Sequence, residues 1–258
     1  MSKQESKNSG IIRFGKMPAK RDDRNLKLSA ILKAPVSLPK EYDFDVNNNG
    51  IPTPMFANDV YGCCVLAGRA HQTLRFEKAE QGVVLSISDK EVVKEYLKES
   101  DGEDNGLVVL DSLKLWRKRG WKAASKSYKI RAFAEIDPAK KDELKRTVFM
   151  DIGAGLGLTL PDAAVSQFHA GKPWEVVKGP GSRPNKRNGH YVYVPGYTKT
   201  GPVCVTWGRK QQMSWAFLEK YCDEAYAIID EVNTKKKKRN LDEKKIKAFL
   251  GDLKKQGE

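Results

Sequence analysis

The stretch NDVYGCCVLAGRAH, residues 58–71, places two adjacent cysteines, Cys63 and Cys64, after a glycine and at the start of an apparent helix. Adjacent cysteines rarely pair with each other without strain, and alanine or valine would serve a core as well. The unpaired amides and the dipole at the start of a helix favour a thiolate. We therefore interpret Cys64 as a candidate nucleophile and expect Cys63 to face away from it.

A thiol nucleophile needs a base, usually a histidine, within hydrogen-bond reach. The chain has three histidines. His71 lies seven residues beyond Cys64, which is about 10 Å along a helix axis and too far for a direct pair. His169 has no evident partner in its segment, whereas His190 opens a predicted strand after a long loop, where a side chain can project into a cleft. We expect His190 to be the base.

No cofactor and no metal are expected. Cys63, Cys64, His71 and His190 form an alternative zinc set, but their spacing fits no standard finger or ribbon. The glycines at 153–157 lack the Lys-Ser/Thr of a phosphate loop and a following helix, so we interpret GAGLG as a packed strand. Four irregularly spaced cysteines without an export signal predict free thiols rather than a disulfide framework.

Helices are predicted mainly in the first half of the chain and strands in the second. Apolar spacing predicts helices from Cys64, over 88–100 with an N-cap at Ser88, and over 107–121. Strands are predicted at 153–161, 190–198 and 201–208, and the last two are joined by a hairpin turn. This order favours an α+β fold with a mostly antiparallel sheet over a doubly wound fold.

Positive charge is concentrated at the two ends of the 258-residue chain. The net charge is +14, of which residues 1–40 carry +7 and residues 234–258 carry +6. A groove that reads nucleic-acid sequence would place charge in the body, so the basic ends predict weak polyanion binding, with simple solubility as the alternative. We divide the chain into a basic N-terminal arm (1–40), a domain (41–233) and a Lys-rich C-terminal extension (234–258).

No run of residues approaches the roughly 18 apolar residues of a membrane span. The start of the chain, MSKQESKNSG, also lacks the apolar region of a signal peptide. We expect a cytoplasmic protein with no membrane contact. The segment at 14–35 is predicted to lie as an arm across the domain.

Four motifs, in order along residues 58–230, resemble those of the papain-like (C1-type) cysteine peptidase superfamily. That family has a Gln, five residues and then the nucleophilic Cys, with Gly two positions before it; here Asn58 and Cys64 hold the outer places. The family's N-G-G turn is similar to EDNG at 103–106. Its catalytic His before an apolar strand is similar to GHYVYVPGY at 189–197, and its N-S-W-G strand end is similar to VCVTWG at 203–208.

The combination of MPAKRDDRNLKL, NDxxGxC, GH, GY and TWG more closely resembles an uncharacterised papain-like branch of bacterial and phage-encoded proteins. If the chain is phage-encoded, association with the virion is an alternative to a cytoplasmic location. The order of arm and then cysteine is also similar to that of a zymogen.

The resemblance implies a thiol hydrolase that cleaves a peptide or amide bond, with a peptide or protein as its substrate. Cys64 would attack as a thiolate, and His190 would protonate the leaving amine. Asn58 would stabilise the oxyanion, although its amide is one methylene shorter than that of the family's Gln. Trp207 would pack beside His190 as a wall of the cleft.

The chain departs from the family at the residue that orients the histidine. Val205 stands where the family has an Asn, and a valine cannot hold an imidazole. Thr206 is adjacent, but strand alternation predicts that it points to the other face. The group that orients His190 could be Asp59, Asn188, Thr206 or a backbone carbonyl. The alternative function is a weak or inactive papain-like module with a structural or binding role, virion- or polyanion-associated through its basic ends.

Overall fold

The computed structural model describes residues 11–46, 48–150, 153–230 and 241–256. The helices are α1 (Leu28–Ile31), α2 (Cys64–Gln81), α3 (Asp89–Glu99), α4 (Val109–Arg119), α5 (Lys141–Phe149), α6 (Asp162–His169), α7 (Trp215–Tyr221) and α8 (Glu243–Lys255), with a 3-10 helix at Phe44–Val46. The strands are β1 (Tyr42–Asp43), β2 (Trp121–Ala123), β3 (Lys126–Tyr128), β4 (Ile130–Glu135), β5 (Ala154–Pro161), β6 (Pro184–Tyr197), β7 (Pro202–Thr206), β8 (Arg209–Gln212) and β9 (Cys222–Asp230).

One sheet of the described residues contains seven strands. Its order is β4-β9-β5-β6-β7-β8, and β1 pairs with the end of β6. All of these pairings are antiparallel. The strands β2 and β3 form a separate antiparallel pair. The predicted α+β class with a mostly antiparallel sheet is therefore confirmed.

The helix α2 is buried on nearly all sides. Fifteen of its 18 residues are buried, so it has no single apolar stripe and packs against neighbours all round. Gly68 allows α2 to approach β6 closely, because a Cβ there would lie 2.7 Å from the ring of Tyr191. The helix ends where Gly82 adopts a left-handed conformation (φ 72°), which is the usual backbone of a helix C-terminus.

A buried ion-pair network fixes α2 against α3 and α4. The Arg69 guanidinium donates to both carboxylate oxygens of Glu99, at 2.8 and 3.3 Å, and to the Ser112 carbonyl at 2.8 Å. The side chains of Arg69 and Glu99 are 2% and 1% exposed. Burying this pair requires the matched hydrogen bonds that the network supplies, and it orients the start of α2.

Two apolar clusters lie on the opposite faces of the seven-stranded sheet, since alternate residues of β9 belong to one or the other. The cluster on the face covered by α2, α3 and α4 includes Val92, Trp116 and Tyr191. The sheet-half cluster, on the other face, includes Leu156, Phe217 and Ile229. Cys64 belongs to the first cluster's edge and starts α2. The sheet therefore lies between two cores, and the core on the side of α2 joins α2 to β6.

The described parts of the arm and of the C-terminal extension pack onto the domain. Leu28 and Ile31 of α1 are fully buried in the sheet-half cluster. The backbone N–H of Asp242 donates to the Ile31 carbonyl at 2.7 Å, and Ile246 of α8 is fully buried. The Lys-rich run at 235–240 lies outside the described residues.

Two elements differ from the sequence prediction. The strand β6 begins at Pro184, six residues before the predicted strand, because the basic loop continues the pairing with β5 after a register shift. The helix α6 occupies a segment in which no helix is predicted. None of the helices in the described ranges is both long and apolar enough to span a membrane.

Candidate active site

Cys64 is the first residue of α2, and the turn before it is held from the helical half. The backbone N–H of Gly62 donates to Asp104 Oδ1 at 2.8 Å, and the Tyr96 hydroxyl donates to the same oxygen at 2.6 Å. Cys63 points elsewhere, because its thiol donates to the Phe56 carbonyl at 3.3 Å and is fully buried. Cys64 is therefore the cysteine that faces the cleft.

His190 lies in β6 with its ring against Trp207. The two rings stack at a centroid distance of 3.9 Å and an interplanar angle of 18°. Nε2 of His190 is 2.6 Å from the Thr206 hydroxyl. Nδ1 is buried and has no hydrogen-bond partner among the described residues. If Nε2 carries the proton and Thr206 accepts it in a hydrogen bond, Nδ1 is left free to act as a base.

The expectation that Thr206 points away from His190 is wrong. Pairing between β6 and β7 shifts register between Tyr193 and Gly196, and a one-residue shift exchanges the two faces of a strand. Val205 is the residue paired with Tyr193. Thr206, one position later, brings its hydroxyl to the imidazole.

Two other candidates for orienting His190 do not contact it. The Asn188 amide donates to Asp162 Oδ1 at 2.8 Å. Asp59 makes no hydrogen bond to His190 in the described part of the chain, where Thr206 is the group at Nε2. These two placements correct the alternatives that the sequence left open.

Asn58 is buried at the edge of the cleft and directs its amide to backbone carbonyls. Its Nδ2 donates to the Tyr61 carbonyl at 3.0 Å and to the Arg13 carbonyl at 3.3 Å. The Trp207 indole N–H donates to the same Arg13 oxygen at 3.2 Å. A carbonyl oxygen of the N-terminal arm thus lies between the side chains of Asn58 and Trp207.

Residues 13–17, which we call the cleft segment, bind both halves of the domain through their backbone. On the helical side, Met17 N–H donates to the Leu107 carbonyl at 2.9 Å, and Leu107 N–H donates to the Gly15 carbonyl at 2.8 Å. On the sheet side, the N–H groups of Gly15 and Lys16 both donate to the Gly189 carbonyl, at 3.1 and 3.0 Å. The segment therefore lies in the cleft as an extended peptide.

The cleft segment also touches the candidate catalytic pair. The Phe14 ring meets the His190 ring edge-on at 6.1 Å and the Trp207 ring at 5.6 Å. The backbone of Gly15 lies beside the Cys64 thiol, where it favours the thiolate and lowers the pKa of the thiol. Consecutive residues of one peptide thus contact residues on the two sides of the cleft.

Glycine is required at position 15. A Cβ on Gly15 would lie 1.6 Å from the Gly62 carbonyl oxygen, a distance that no side chain tolerates. Gly106 faces the same backbone with φ 84°, and a Cβ there would lie 2.4 Å from the Gly15 carbonyl oxygen. The backbone of the segment is pressed directly onto the turns that precede α2 and α4.

Burial beneath the cleft segment keeps the thiol and the imidazole neutral. Loss of solvent raises the pKa of Cys64 to about 11, although the backbone of Tyr191 and Gly15 and the charge of Lys16 oppose the rise. Burial alone lowers the pKa of His190 to about 3. With the segment in place, a thiolate–imidazolium pair is therefore disfavoured at neutral pH.

The alternative zinc set is not brought together. Cys63 binds the Phe56 carbonyl, and the His71 ring packs on the ring of Phe56 at 4.8 Å. In the described ranges, no group of three or more His, Cys, Asp or Glu side chains is placed to hold a metal ion.

Sequence reasoning missed the residues that fill the cleft. It predicted an arm across the domain but did not place Phe14, Gly15 and Lys16 over the candidate catalytic pair. Most of their contacts are backbone hydrogen bonds, which leave no residue-type signal. The pair FG before a lysine was the only local signal available.

The fold is that of the papain-like cysteine proteases. It is similar to xylellain, a cysteine protease from Xylella fastidiosa, with a TM-score of 0.64 at 16% identity over 86% of this chain and 97% of that one. It is also similar to the Carica candamarcensis cysteine protease CMS1MS2 solved with E-64, with a TM-score of 0.55 at 14% identity over 75% of this chain and 100% of that one.

A further similar structure is the proform of Amb a 11, a cysteine protease and ragweed pollen allergen. The TM-score is 0.54 at 13% identity, over 80% of this chain and 76% of that one. No family model matches the sequence, and no curated protein matches it. At these identities the likeness establishes the fold, and the activity has to be argued from the site.

Proposed function

We propose that the protein is a thiol hydrolase that cleaves a peptide or amide bond. The observation that carries this proposal is the peptide already lying in the cleft. Its residues 13–15 contact Asn58, Cys64, His190 and Trp207. A groove that binds an extended peptide against these four residues is suited to hold a scissile bond beside a nucleophile and a base.

The reaction begins when the cleft segment leaves and a substrate takes its place. Water then reaches Cys64 and His190, and the start of α2 favours the thiolate. The sulfur of Cys64 attacks the substrate carbonyl carbon while Nδ1 of His190 holds the proton. The oxyanion accepts hydrogen bonds from the Cys64 backbone N–H and from Nδ2 of Asn58.

His190 then gives its proton to the leaving amine, and the C–N bond breaks to leave a thioester on Cys64. Water, activated by the same imidazole, hydrolyses the thioester and releases the acid. Thr206 holds the imidazole through Nε2 during both transfers. Trp207 packs on the ring and excludes water from one of its faces.

The test is hydrolysis of a diverse peptide mixture by the purified full-length chain, read as new N-termini by mass spectrometry. Activity should be low in the wild type, higher in Gly15→Ala, whose added Cβ displaces the cleft segment, and retained in Gly15→Ala/Cys222→Ala. It should be absent when Cys64→Ala or His190→Ala is added to Gly15→Ala. Cys63→Ala should keep most of the activity because its thiol faces the core. Equal cleavage by the Cys64→Ala variant, or none by any variant that frees the cleft, would refute the hydrolase.

A second function is favoured by the occupied cleft and by Val205. In this alternative, a catalytically weak or silent module binds a peptide without cleaving it. The two functions separate in the same experiment, because a silent module yields a peptide bound to the chain and no new N-termini. A virion or structural role would follow from such binding.

We further propose that the chain is related to the bacterial and phage-encoded branch, on the basis of the motifs at 58–64, 189–197 and 203–208, and that it is cytoplasmic.

We also propose that the basic ends of the chain bind polyanions weakly. Removing residues 1–10 and 234–240 should lower heparin affinity at about 50 mM salt and leave peptide cleavage unchanged, because affinity that rests on lysine charge falls with salt. Unchanged heparin retention would refute this part.

A further inference from the structure

The side chain of Lys16 is inserted into an acidic pocket in the wall of the cleft. Its Nζ donates to Asp223 Oδ2 at 3.0 Å and to the Met17 carbonyl at 3.2 Å. It also lies 3.3 Å from Glu224 Oε1, within ion-pair distance but without hydrogen-bond geometry. The Lys16 side chain is 1% exposed. A fully covered lysine is uncommon in proteins unless a pocket of opposite charge receives it.

The pocket has its shape because residue 157 is glycine. A Cβ at Gly157 would lie 2.4 Å from Cε of Lys16 and 2.4 Å from Cγ of Glu224. Gly157 is in the centre of β5, where any small or β-branched residue would otherwise serve the strand. The absence of a side chain at this position opens space for the end of a long, unbranched side chain.

The acidic groups of the pocket have capacity for an incoming cation. Asp223 Oδ2 also accepts from the Thr159 hydroxyl at 2.7 Å, and Glu224 Oε2 accepts from the Tyr226 hydroxyl at 3.1 Å. Glu224 Oε1 is buried and accepts no hydrogen bond among the described residues. Burial raises the pKa of Glu224 to about 7, and the Lys16 charge opposes that rise. A positive charge is therefore the occupant that best stabilises the ionised form of Glu224, and Asp223 accepts a hydrogen bond from it directly.

Apart from the Phe14 ring and the glycine at position 15, the cleft segment is held by backbone contacts. Gly15, Lys16 and Met17 use backbone N–H and C=O groups against Leu107 and Gly189. Backbone pairing of this kind gives affinity, and side-chain pockets give selectivity. Within the segment, the pocket at Gly157, Asp223 and Glu224 is the one that recognises a charge.

We propose that this pocket is a lysine-selective subsite of the cleft, so that the preferred peptides carry a lysine side chain there, as the cleft segment does. As a substrate subsite it rests on the proposed hydrolase. Its selectivity for lysine is a binding property and is testable without turnover. Glu224 and Asp223 set the charge preference, and Gly157 sets the depth.

The first experiment measures how firmly the pocket holds Lys16. The rate of iodoacetamide labelling at Cys64 is followed by mass spectrometry in the full-length wild type and in Lys16→Met. Met keeps an unbranched apolar chain of similar length and removes the charge. Cys204, which is fully buried, reports any global unfolding. Labelling of Cys64 should be at least tenfold faster in Lys16→Met, with Cys204 unchanged. Equal rates would overturn the proposal.

The second experiment offers the empty cleft a peptide. The Lys16→Met chain is incubated with the peptide Arg-Phe-Gly-Lys-Met-Pro, which copies residues 13–18, or with its norleucine analogue in place of lysine. The lysine peptide should protect Cys64 from iodoacetamide at a concentration at least tenfold lower than the analogue. In Lys16→Met/Asp223→Asn/Glu224→Gln the two peptides should differ by less than threefold. Equal protection in the Lys16→Met chain would overturn the proposal.

The control for pocket depth is Gly157→Ala in the Lys16→Met chain, with Gly251→Ala as the matched substitution in open space. Gly157→Ala should weaken protection by the lysine peptide, and Gly251→Ala should not. Failure of the hydrolase is read separately. Selective protection without any new N-termini in the peptide mixture would retain the lysine subsite and reject the hydrolase. Turnover with no preference for the lysine peptide over its norleucine analogue would retain the hydrolase and reject the lysine subsite.

Discussion

Thr206 holds His190 through one hydroxyl group, which can both donate and accept a hydrogen bond. Thr206 is buried, so this hydrogen bond is shielded from water. The imidazole is fixed further by its stack on Trp207. Orientation of the base in this cleft is therefore shared between a hydroxyl group and an aromatic face.

The role of Thr206 is tested by Thr206→Val, with Thr206→Ser as the matched control. Val keeps the shape and leaves Nε2 of His190 buried without a partner, which costs about 1–3 kcal/mol. We expect kcat/KM for peptide cleavage to fall roughly tenfold or more and the pH profile to change shape. Ser should retain most of the wild-type rate. An unaffected Val variant would show that Trp207 alone positions the ring.

Sequence reasoning reached some of these residues and not others, for physical reasons. Cys64 and His190 were predicted from their residue types at the start of a helix and of a strand, and Asn58 from the resemblance to the papain-like motif. Thr206 was assigned to the wrong face because the register shift in β6–β7 leaves no mark in residue type. Lys16 was missed because its acidic partners lie more than 200 positions away in sequence.

At the scale of single elements, the binding of the cleft segment depends on how closely its backbone approaches the backbone of the turn before α2. Its fit requires Gly15, since a Cβ there would overlap the Gly62 carbonyl. The helix α2 and the strand β6 share one apolar cluster through Tyr191, and Phe14 of the segment is only a partly buried neighbour of the other cluster. We therefore expect the segment to move away without unfolding the domain. Helices with clear caps, such as α3 with its capping box at Ser88, were predictable because the signals are local.

Gly15→Ala should expel the cleft segment while leaving the domain folded. We expect iodoacetamide to label Cys64 at least tenfold faster than in the wild type, because the thiol becomes open to solvent and its pKa falls from about 11 toward its ordinary value. Gly251→Ala, a substitution in open space on α8, is the control and should not change the rate. Unchanged labelling in Gly15→Ala would show that the segment does not cover the thiol in solution.

The buried pair Arg69–Glu99 is predicted to hold α2 to α3 and α4. Glu99→Ala leaves the Arg69 charge buried without its main partner, for which a loss of about 3–5 kcal/mol of unfolding free energy is typical. The control is Lys98→Ala, whose side chain is 60% exposed and should cost less than about 1 kcal/mol. Urea unfolding followed by circular dichroism measures both. If Glu99→Ala loses no more unfolding free energy than the control, the Arg69–Glu99 pair does not hold α2 to α3 and α4.

At the scale of the whole molecule, the arm ties the two halves of the domain together. The cleft segment bonds to Leu107 on one side and Gly189 on the other, and α1 is buried in the sheet half beside α8. Sequence patterns predicted two structural halves, because each half has its own element type. They could not predict the closure between them, because closure depends on contacts among residues far apart in sequence.

Burial of His190 in the closed cleft lowers the stability of the protein in acid, because the imidazole stays neutral in the folded chain. The folded pKa is about 3, while an unfolded histidine takes up its proton near pH 6.5. Between these values the unfolded chain binds one more proton, so the free energy of unfolding falls as pH falls, by about 1.4 kcal/mol per unit well below pH 6.5. Glu224, with a pKa of about 7, acts in the opposite direction between about 4.5 and 7. The contribution of His190 is therefore obtained from the difference in slope between two chains that share the contribution of Glu224.

We expect the slope of the unfolding free energy against pH to be lower in His190→Gln than in the wild type, by about 1.4 kcal/mol per pH unit, the equivalent of one proton, between pH 6 and 4. Glutamine cannot be protonated, so the linked proton disappears while the contribution of Glu224 is common to both chains. His169→Gln, at an exposed position on α6, should keep the wild-type slope. Urea titrations at four pH values measure all three chains. Equal slopes in His190→Gln and the wild type would mean that water reaches the imidazole and that the cleft is open in solution.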